Sequence, residues 1–413
     1  MIALFSTNRG SRKGNASIVA RNDKRPLTVL QVLPHLDMGG VARGTLEIAR
    51  AITDAGGRAL VASAGGNLEA RLKGYGGTAV RMPLASRNPV VIAANAARLS
   101  RLIAQESVDV VNVRARAPAW SAWLASRRTG AALITTWHEI YPERNLSLRL
   151  YTSVMARGRP VIAVSEFVAA TIARRYPSAA GAIEIIPRGA DMEIFAEEVV
   201  GAERTIALAR NWGLVEDPRP VVMLPGALTR WKGQSVFIEA AAHVRKLRRG
   251  AADFLFVIVG EEGEPGMTER LLARAAAADA LEIVRIVGPC EDMPAAYKLA
   301  SVVVSASTRP EAFGRVAVEA QAMGRPVIAT DHGGARETVA QGRTGWLIPP
   351  GDPEALGNAI HTALTLDPSA RAHLGMAGRA RVRQLFTIEA MQRATLAAYE
   401  RAAGRAFGAE ASE

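Results

Sequence analysis

Apolar residues along the chain are grouped in short continuous runs, and the stretches between them place apolar positions at helical spacing. A run at 27–33 leads into a turn at Asp37-Met38-Gly39-Gly40 and a helical pattern over 41–55, which predicts strand, glycine loop and helix. The alternation continues through runs at 59–62, 108–113, 133–136, 161–164 and 183–186. Strands of this kind, separated by helices, predict a buried parallel sheet. A polar, proline-containing stretch at 202–220 reads as a linker. Beyond it a second series runs through 221–224, 254–259, 283–287, 302–305, 326–329 and 345–348. The expected fold class is α/β, with two Rossmann-like, doubly wound parallel-sheet domains. Helical spacing returns over 386–406, with Met391, Leu396 and Tyr399 among its apolar positions.

Composition sharpens this picture. A chain of 413 residues is too long for one ordinary core, and domains at 26–197 and 198–385 are expected. Hydrophobic residues make up 49% but aromatics only 5%, as suits Ala-, Val-, Leu- and Ile-rich parallel strands. No apolar run approaches the roughly 20 residues needed to span a bilayer. Residues 1–25, with Arg9, Arg12, Lys13, Arg21, Lys24 and Arg25, lack the apolar centre of a secretory signal and are expected to form a disordered basic tail. A flexible tail is expected at 407–413. A single cysteine, Cys290, excludes an internal disulfide and fits a reducing compartment, so a cytoplasmic location is expected. The net charge of +12 attracts phosphates, nucleic acid or acidic lipid headgroups. Zinc-ligand pairs, stacking platforms and recognition-helix signatures are all missing from the sequence, so nucleic acid is not an expected partner.

In doubly wound sheets ligands bind beyond the carboxyl ends of the strands, so the loops there are the candidates for chemistry. Gly39 and Gly40 offer backbone N–H groups at a helix start, although for a lone glycine pair a plain tight turn is the favoured reading. They lack the spacing of the dinucleotide fingerprint. The most informative segment is Arg309-Pro310-Glu311-Ala312-Phe313-Gly314-Arg315-Val316-Ala317-Val318-Glu319, which leaves a strand, turns at glycine and enters a helix. Glu319 is expected inside that helix, about two turns beyond Glu311, where the pair can grip two parts of one long ligand. A carboxylate accepts from two sugar hydroxyls at once, while backbone donors beside it face a diphosphate. Two surface glutamates are the alternative. The segment follows Pro225-Gly226-Ala227-Leu228-Thr229-Arg230-Trp231-Lys232-Gly233-Gln234 and precedes Thr330-Asp331-His332-Gly333-Gly334-Ala335-Arg336-Glu337.

The order of these three segments resembles family 4 of the retaining glycosyltransferases (GT4, glycosyltransferase group 1, GT-B fold). That family's mark is two glutamates with seven residues between them, matched by Glu311 and Glu319. Similar features stand at Ala163-Val164-Ser165-Glu166-Phe167, Ile186-Pro187-Arg188-Gly189-Ala190-Asp191 and Thr344-Gly345-Trp346-Leu347. The resemblance implies two domains facing across a cleft, an acceptor domain first and a nucleotide-sugar domain second, with the 386–406 helix crossing back to complete the first. It implies that Lys232 binds the donor diphosphate, that Glu319 holds the ribose, and that Glu311 lies near the transferred sugar. Ala312, Phe313 and Gly314 would lend main-chain donors. Gly39 and Gly40 would close over the phosphates, His138 in Thr135-Thr136-Trp137-His138-Glu139 would stand beside the reacting carbon, and Gly333 and Gly334 would form a turn near the donor.

One departure is Ala227, where the family usually carries an arginine. Arg230, Arg309 and Arg315 are the candidates to replace it, and Arg230 is included among the donor-binding residues. The implied reaction moves a hexose, mannose or glucose, from a nucleotide-diphosphate sugar with retention of configuration and with no cofactor or metal. The expected partners are that nucleotide sugar, a glycan or glycolipid acceptor and an anionic membrane surface at the inner face of the cell membrane. Arg114, Arg116, Arg127 and Arg128 surround 117–123, and Arg144, Arg149, Arg157 and Arg159 follow with apolar residues between them. Such mixtures suit a phosphorylated lipid or membrane, and a solvated helix face with buried tryptophans suits them as well. The stretch 114–130 looks like that of transferases building lipopolysaccharide core or other envelope glycans. A nucleotide-sugar binder that has lost turnover is the alternative reading, and a sugar-nucleotide epimerase fits the motifs less well.

Overall fold

Two parallel sheets carry the chain, which is described by a computed structural model over residues 25–37 and 39–408. The first contains β1 (Thr28–Val32), β2 (Arg58–Ser63), β3 (Thr78–Arg81), β4 (Val110–Val113), β5 (Ala132–Trp137), β6 (Val161–Ala163) and β7 (Ile183–Ile185). The second contains β8 (Val221–Pro225), β9 (Leu255–Val259), β10 (Val284–Ile286), β11 (Ala300–Ser305), β12 (Val327–Thr330) and β13 (Gly345–Ile348). Their orders are β3-β2-β1-β4-β5-β6-β7 and β10-β9-β8-β11-β12-β13, the doubly wound arrangement expected of a GT-B protein. β1, β4, β8 and β9 are buried along their whole length, because helices cover both faces of each sheet.

Strand order reverses between β1 and β4 in one sheet and between β8 and β11 in the other. At such a switch point neighbouring loops turn to opposite faces and open a crevice. The connections after β1, β4, β8 and β11 carry Gly39 with Gly40 at the start of the next helix, Arg114, Lys232 and Glu311 respectively. Gln31 and Asn112 sit side by side in the β1–β4 register as buried polar residues within apolar strands. Such groups need partners, and theirs bear on the cleft.

Three sequence expectations need correction. β3 was not anticipated: Thr-Ala-Val-Arg is a half-exposed edge strand without an apolar run. The expected linker at 202–220 contains the helix Ala202–Asn211, which buries only Ala209 and is tied to the helix Met293–Leu299 region by Arg204 on Asp292 at 2.7 Å. Phe407, expected in a flexible tail, packs against the apolar cluster of the first sheet.

The expected disordered tail at 1–25 lies outside the described residues apart from Arg25, as do 409–413 of the expected C-terminal tail. Arg25 and Arg405 both bind the carboxylate of Asp109, each at 2.6 Å. The helix Ile388–Ala403 lies against the first sheet: Tyr399 donates to Asn112 Oδ1 at 3.2 Å, and Gln392 donates to the Glu47 carbonyl at 3.0 Å. The chain returns there through reciprocal backbone bonds, Ala190 N–H to Phe386 and Ile388 N–H to Ala190.

Candidate active site

Lys232 lies in a 3-10 turn, Arg230–Lys232, closed by Gly233. Gly233 has φ 80° and packs on the Ala306 carbonyl, where a Cβ would overlap. Thr308 N–H donates to the Trp231 carbonyl at 2.7 Å, fastening the turn to the loop after β11. Lys232 Nζ consequently reaches Glu311 Oε1 at 2.8 Å and lies 4.5 Å from the centre of the Trp231 ring. Ser307 also donates to this Glu311 oxygen. Burial opposes the charge on Glu311, but Lys232 and Ser307 outweigh it and hold the carboxyl below its usual range.

The Glu311–Gly314 loop rests on Gly333 and Gly334. A Cβ on Gly333 (φ 60°) would overlap the Glu311 carbonyl, and one on Gly334 would stand 2.5 Å from Phe313 Cα. This close approach accounts for the glycine pair in the sequence. The Phe313 side chain is buried edge-on against Phe386, centroids 5.6 Å apart, so it anchors the loop and leaves the main chain to face the cleft. Gly314 precedes the helix Arg315–Ala322, which carries Glu319 one turn in, while Glu311 remains in the loop. Glu319 is buried, with Oε1 accepting from Arg315 Nε at 3.2 Å and Oε2 from Tyr297 at 3.0 Å. Burial, with Glu319 beside it, raises the Tyr297 phenol well above its usual range and keeps it a donor.

Across the cleft the helix Gly40–Asp54 begins directly after Gly39, and nothing lies within 4 Å of a Cβ built on either glycine. Glu47 of this helix meets Arg315 of the second domain at 3.1 Å and Arg188 at 3.6 Å. Burial opposes its charge, yet Arg315 and Arg188 hold it below the usual carboxylate range. His138 follows β5, and its Nδ1 lies 3.1 Å from Arg188 Nη1. A guanidinium only donates, so Nδ1 accepts and the neutral ring carries its proton on Nε2. Nε2 is buried without a protein partner. Burial first, then Arg114, Arg188 and Arg315, push the imidazolium pKa well below its ordinary value.

The structure thus brings His138, Gly39, Gly40, Lys232, Glu311, Ala312, Phe313, Gly314 and Glu319 to one interdomain cleft. Two further contacts cross it: Ser165 donates to the Ala312 carbonyl at 2.5 Å, and Glu337 accepts from the N–H groups of Glu166 and Phe167 at 2.8 Å each. Arg230 does not join the group. Its side chain is 76% exposed and turned to Glu264. Arg309 is exposed as well, whereas Arg315 is half-buried in the cleft, with its side chain 18% exposed.

Arg114, expected in a surface cluster, is 4% exposed on the cleft floor, bonded to Gln31 at 3.1 Å and Asn112 at 3.3 Å. Arg157 stacks on Trp120 and Trp123, and Arg116 on Tyr141 and Tyr151, so these arginines belong to packing. Arg188 and Glu47 are site residues that no sequence signal marks. Arg188 stands in a quoted motif, but its position in a Pro-Arg-Gly turn carries no periodicity that announces burial. His332, in another quoted motif, has both ring nitrogens buried without partners.

Residues 38–194 match the family described as Glycosyltransferase Family 4, and residues 209–381 match Glycosyl transferases group 1. A GDP-mannose-dependent alpha-(1-6)-phosphatidylinositol monomannoside mannosyltransferase of Mycolicibacterium smegmatis is 32% identical over 300 residues, 69% of this chain and 74% of that protein. A D-inositol 3-phosphate glycosyltransferase of Xylanimonas cellulosilytica is 30% identical over 68% of this chain and 69% of its own length. A solved glycosyltransferase structure from Rickettsia africae superposes with a TM-score of 0.83 at 33% identity, covering 91% of this chain and 98% of that one.

Proposed function

The chain belongs to family 4 of the group 1 glycosyltransferases, enzymes that use nucleotide sugars, and on that premise we propose that it transfers a hexose with retention of configuration to an envelope-glycan or lipid-linked acceptor. The observation that carries this reading is the convergence of Lys232, Glu311, Glu319 and His138 from both domains on one cleft. In the proposed reaction the bond between the anomeric carbon and the diphosphate oxygen breaks, and its electron pair leaves with the diphosphate. The acceptor oxygen bonds to the same face of that carbon, and its proton passes to the departing diphosphate. The transition state resembles an oxocarbenium ion, with negative charge growing on the leaving group.

Lys232 and the main chain at Gly314 and Gly40 supply positive potential to that charge. Glu319, held by Arg315 and Tyr297, offers fixed acceptors for ribose hydroxyls. Glu311 orients Lys232 and faces the sugar, and His138 presents a neutral Nε2–H to a sugar hydroxyl. Cationic side chains fill the electrostatic role that a metal would otherwise take, so we propose metal-independent transfer.

The relatives act on phosphatidylinositol mannoside and inositol phosphate, which supports a phosphorylated or lipid-borne acceptor here. Among the described residues no helix is long and apolar enough to cross a membrane. On the helix Leu146–Ser153, Leu146 and Leu150 are 80% and 62% exposed beside Arg144 and Arg149, a composition suited to resting on an anionic surface.

The test is release of nucleoside diphosphate from a panel of UDP- and GDP-sugars, with and without lipid-linked acceptors and with EDTA present. Acceptor-dependent release lost in Glu319→Ala and Lys232→Ala supports transfer. Nucleotide-sugar binding without turnover across the panel would overturn it in favour of a binder.

A further inference from the structure

Arg188 is a buried guanidinium that shares its nearest carboxylate, Glu47, with Arg315. Its side chain is 6% exposed, and its hydrogen bonds go to neutral acceptors: Nη2 donates to the Gly40 carbonyl at 2.8 Å and Nη1 to His138 Nδ1 at 3.1 Å. Glu47 Oε2 pairs with Arg188 at 3.6 Å, beyond hydrogen-bond distance, while its Oε1 is bonded to Arg315 at 3.1 Å. Arg114 adds a third guanidinium to the field around His138. Three guanidinium charges therefore face two carboxylates, Glu47 and Glu319. Burial, and after it Arg315, bring the Arg188 pKa down to about 9, which expresses how poorly this charge is compensated.

The local backbone is built to hold the group. A Cβ on Gly44, one turn into the helix that starts at Gly40, would overlap the Arg188 guanidinium. Donor capacity remains: Arg188 Nε, Arg315 Nη1 and His138 Nε2 are all buried without a protein partner. Donors of this kind, gathered between the start of the Gly40 helix and the start of the Arg315 helix, match the oxygens of a phosphate. In the second domain, the loop after β8 carries Ala227 where the resemblance leads one to expect an arginine, and Arg230 is turned away to Glu264.

We infer that Arg188, with Arg315, is the guanidinium clamp for the sugar-bearing phosphate of the donor diphosphate. The inference rests on the nucleotide-sugar reading above and adds that the clamp comes from the first domain, opposite Lys232. Donor binding then neutralises the charge that Glu47 compensates only in part at Arg188.

Calorimetric titration of the full chain with UDP and GDP, and in parallel with UMP and GMP, tests this without requiring turnover. Wild type is expected to prefer the diphosphate. Arg188→Lys, which keeps the charge but loses the fork, and Gly44→Ala, which displaces the guanidinium, are expected to weaken diphosphate binding by about tenfold or more while monophosphate binding stays within about twofold. Retained monophosphate binding also reports an intact fold. Equal loss for both nucleotides, or an unchanged preference in both variants, overturns the clamp while leaving the nucleotide-sugar reading in place. In a further titration with inositol phosphate, weaker binding by the variants with unchanged diphosphate binding also overturns it and moves the clamp to the acceptor. A wild-type chain that binds no nucleotide overturns both readings.

Discussion

Lys232 and Glu311, 79 residues apart in the chain, form an ion pair at 2.8 Å, with side chains only 19% and 15% exposed. Each conserves the other's charge in a setting that disfavours lone charges, so removing one partner is worse than removing both. Lys232→Ala is expected to lower stability by about 2–4 kcal/mol and turnover by at least about a hundredfold. The double variant Lys232→Ala/Glu311→Gln is expected to regain a large part of the stability and none of the turnover. Thermal melts and nucleoside-diphosphate release on the four proteins give the coupling, and additive losses would show that the pair acts as two separate surface charges.

The pH response follows from His138. The folded protein holds the ring neutral through burial and three nearby arginines, while the unfolded chain takes up a proton below about 6.5. A folded-state pKa that is depressed means that the unfolded state binds more protons in acid, so this contribution to stability is present above about pH 6.5 and is lost as pH falls below it. His138→Asn is expected to remove up to about 1.4 kcal/mol of stability change per pH unit between pH 6 and 5. Denaturant midpoints of both proteins across that range check it. The kcat/KM profile of the wild type should lack an acid limb near 6.5 from this ring, and such a limb that disappears in the variant would contradict the neutral assignment.

The proposed membrane contact has its own readout. Leu146 and Leu150 stand one turn apart on the same helix face, both exposed, with Arg144 and Arg149 nearby. Replacing both leucines with glutamate is expected to weaken sedimentation with phosphatidylglycerol-containing vesicles by about tenfold, and to leave melting temperature and nucleotide binding unchanged. Equal sedimentation of the variant would remove this helix as the contact.

Much of this molecule was legible because buried parallel strands announce themselves as apolar runs, and because the loops at their ends carry the motifs. β3 escaped since an edge strand reading Thr-Ala-Val-Arg needs only one covered face. The helix Ala202–Asn211 escaped for a similar reason, with one buried residue amid polar ones. The arginines were harder. Arg114, Arg157 and Arg188 look alike in sequence, yet one is held by Gln31 on the cleft floor, one stacks on two tryptophans and one lies on Gly44. Which of these a given arginine does depends on neighbours from distant segments, and no local spacing encodes it. His138 and Glu319 were identifiable by resemblance, but the Arg188–Glu47–Arg315–Glu319 chain that joins them required the fold.

That chain also predicts how the domains hold together. Glu47 of the first domain reaches Arg315 of the second, and Glu337 of the second caps the helix Glu166–Arg175 of the first by accepting from two of its leading N–H groups. A cap is worth about 1 kcal/mol, and a partly buried ion pair broken on one side costs about 3 kcal/mol or more. Both contacts cross the cleft, so their loss should appear as opening between domains before either domain unfolds. Glu337→Ala is expected to speed hydrogen exchange at Glu166 and Phe167 with little change at β1 or β8. Glu47→Gln should lower the melting temperature more, because Arg188 and Arg315 then lose the carboxylate that lies between them. If exchange at 166–167 stays slow in Glu337→Ala, the closed arrangement is held by the apolar contact of Phe313 with Phe386 and the returning helix, and Phe386→Ala becomes the substitution that separates the domains.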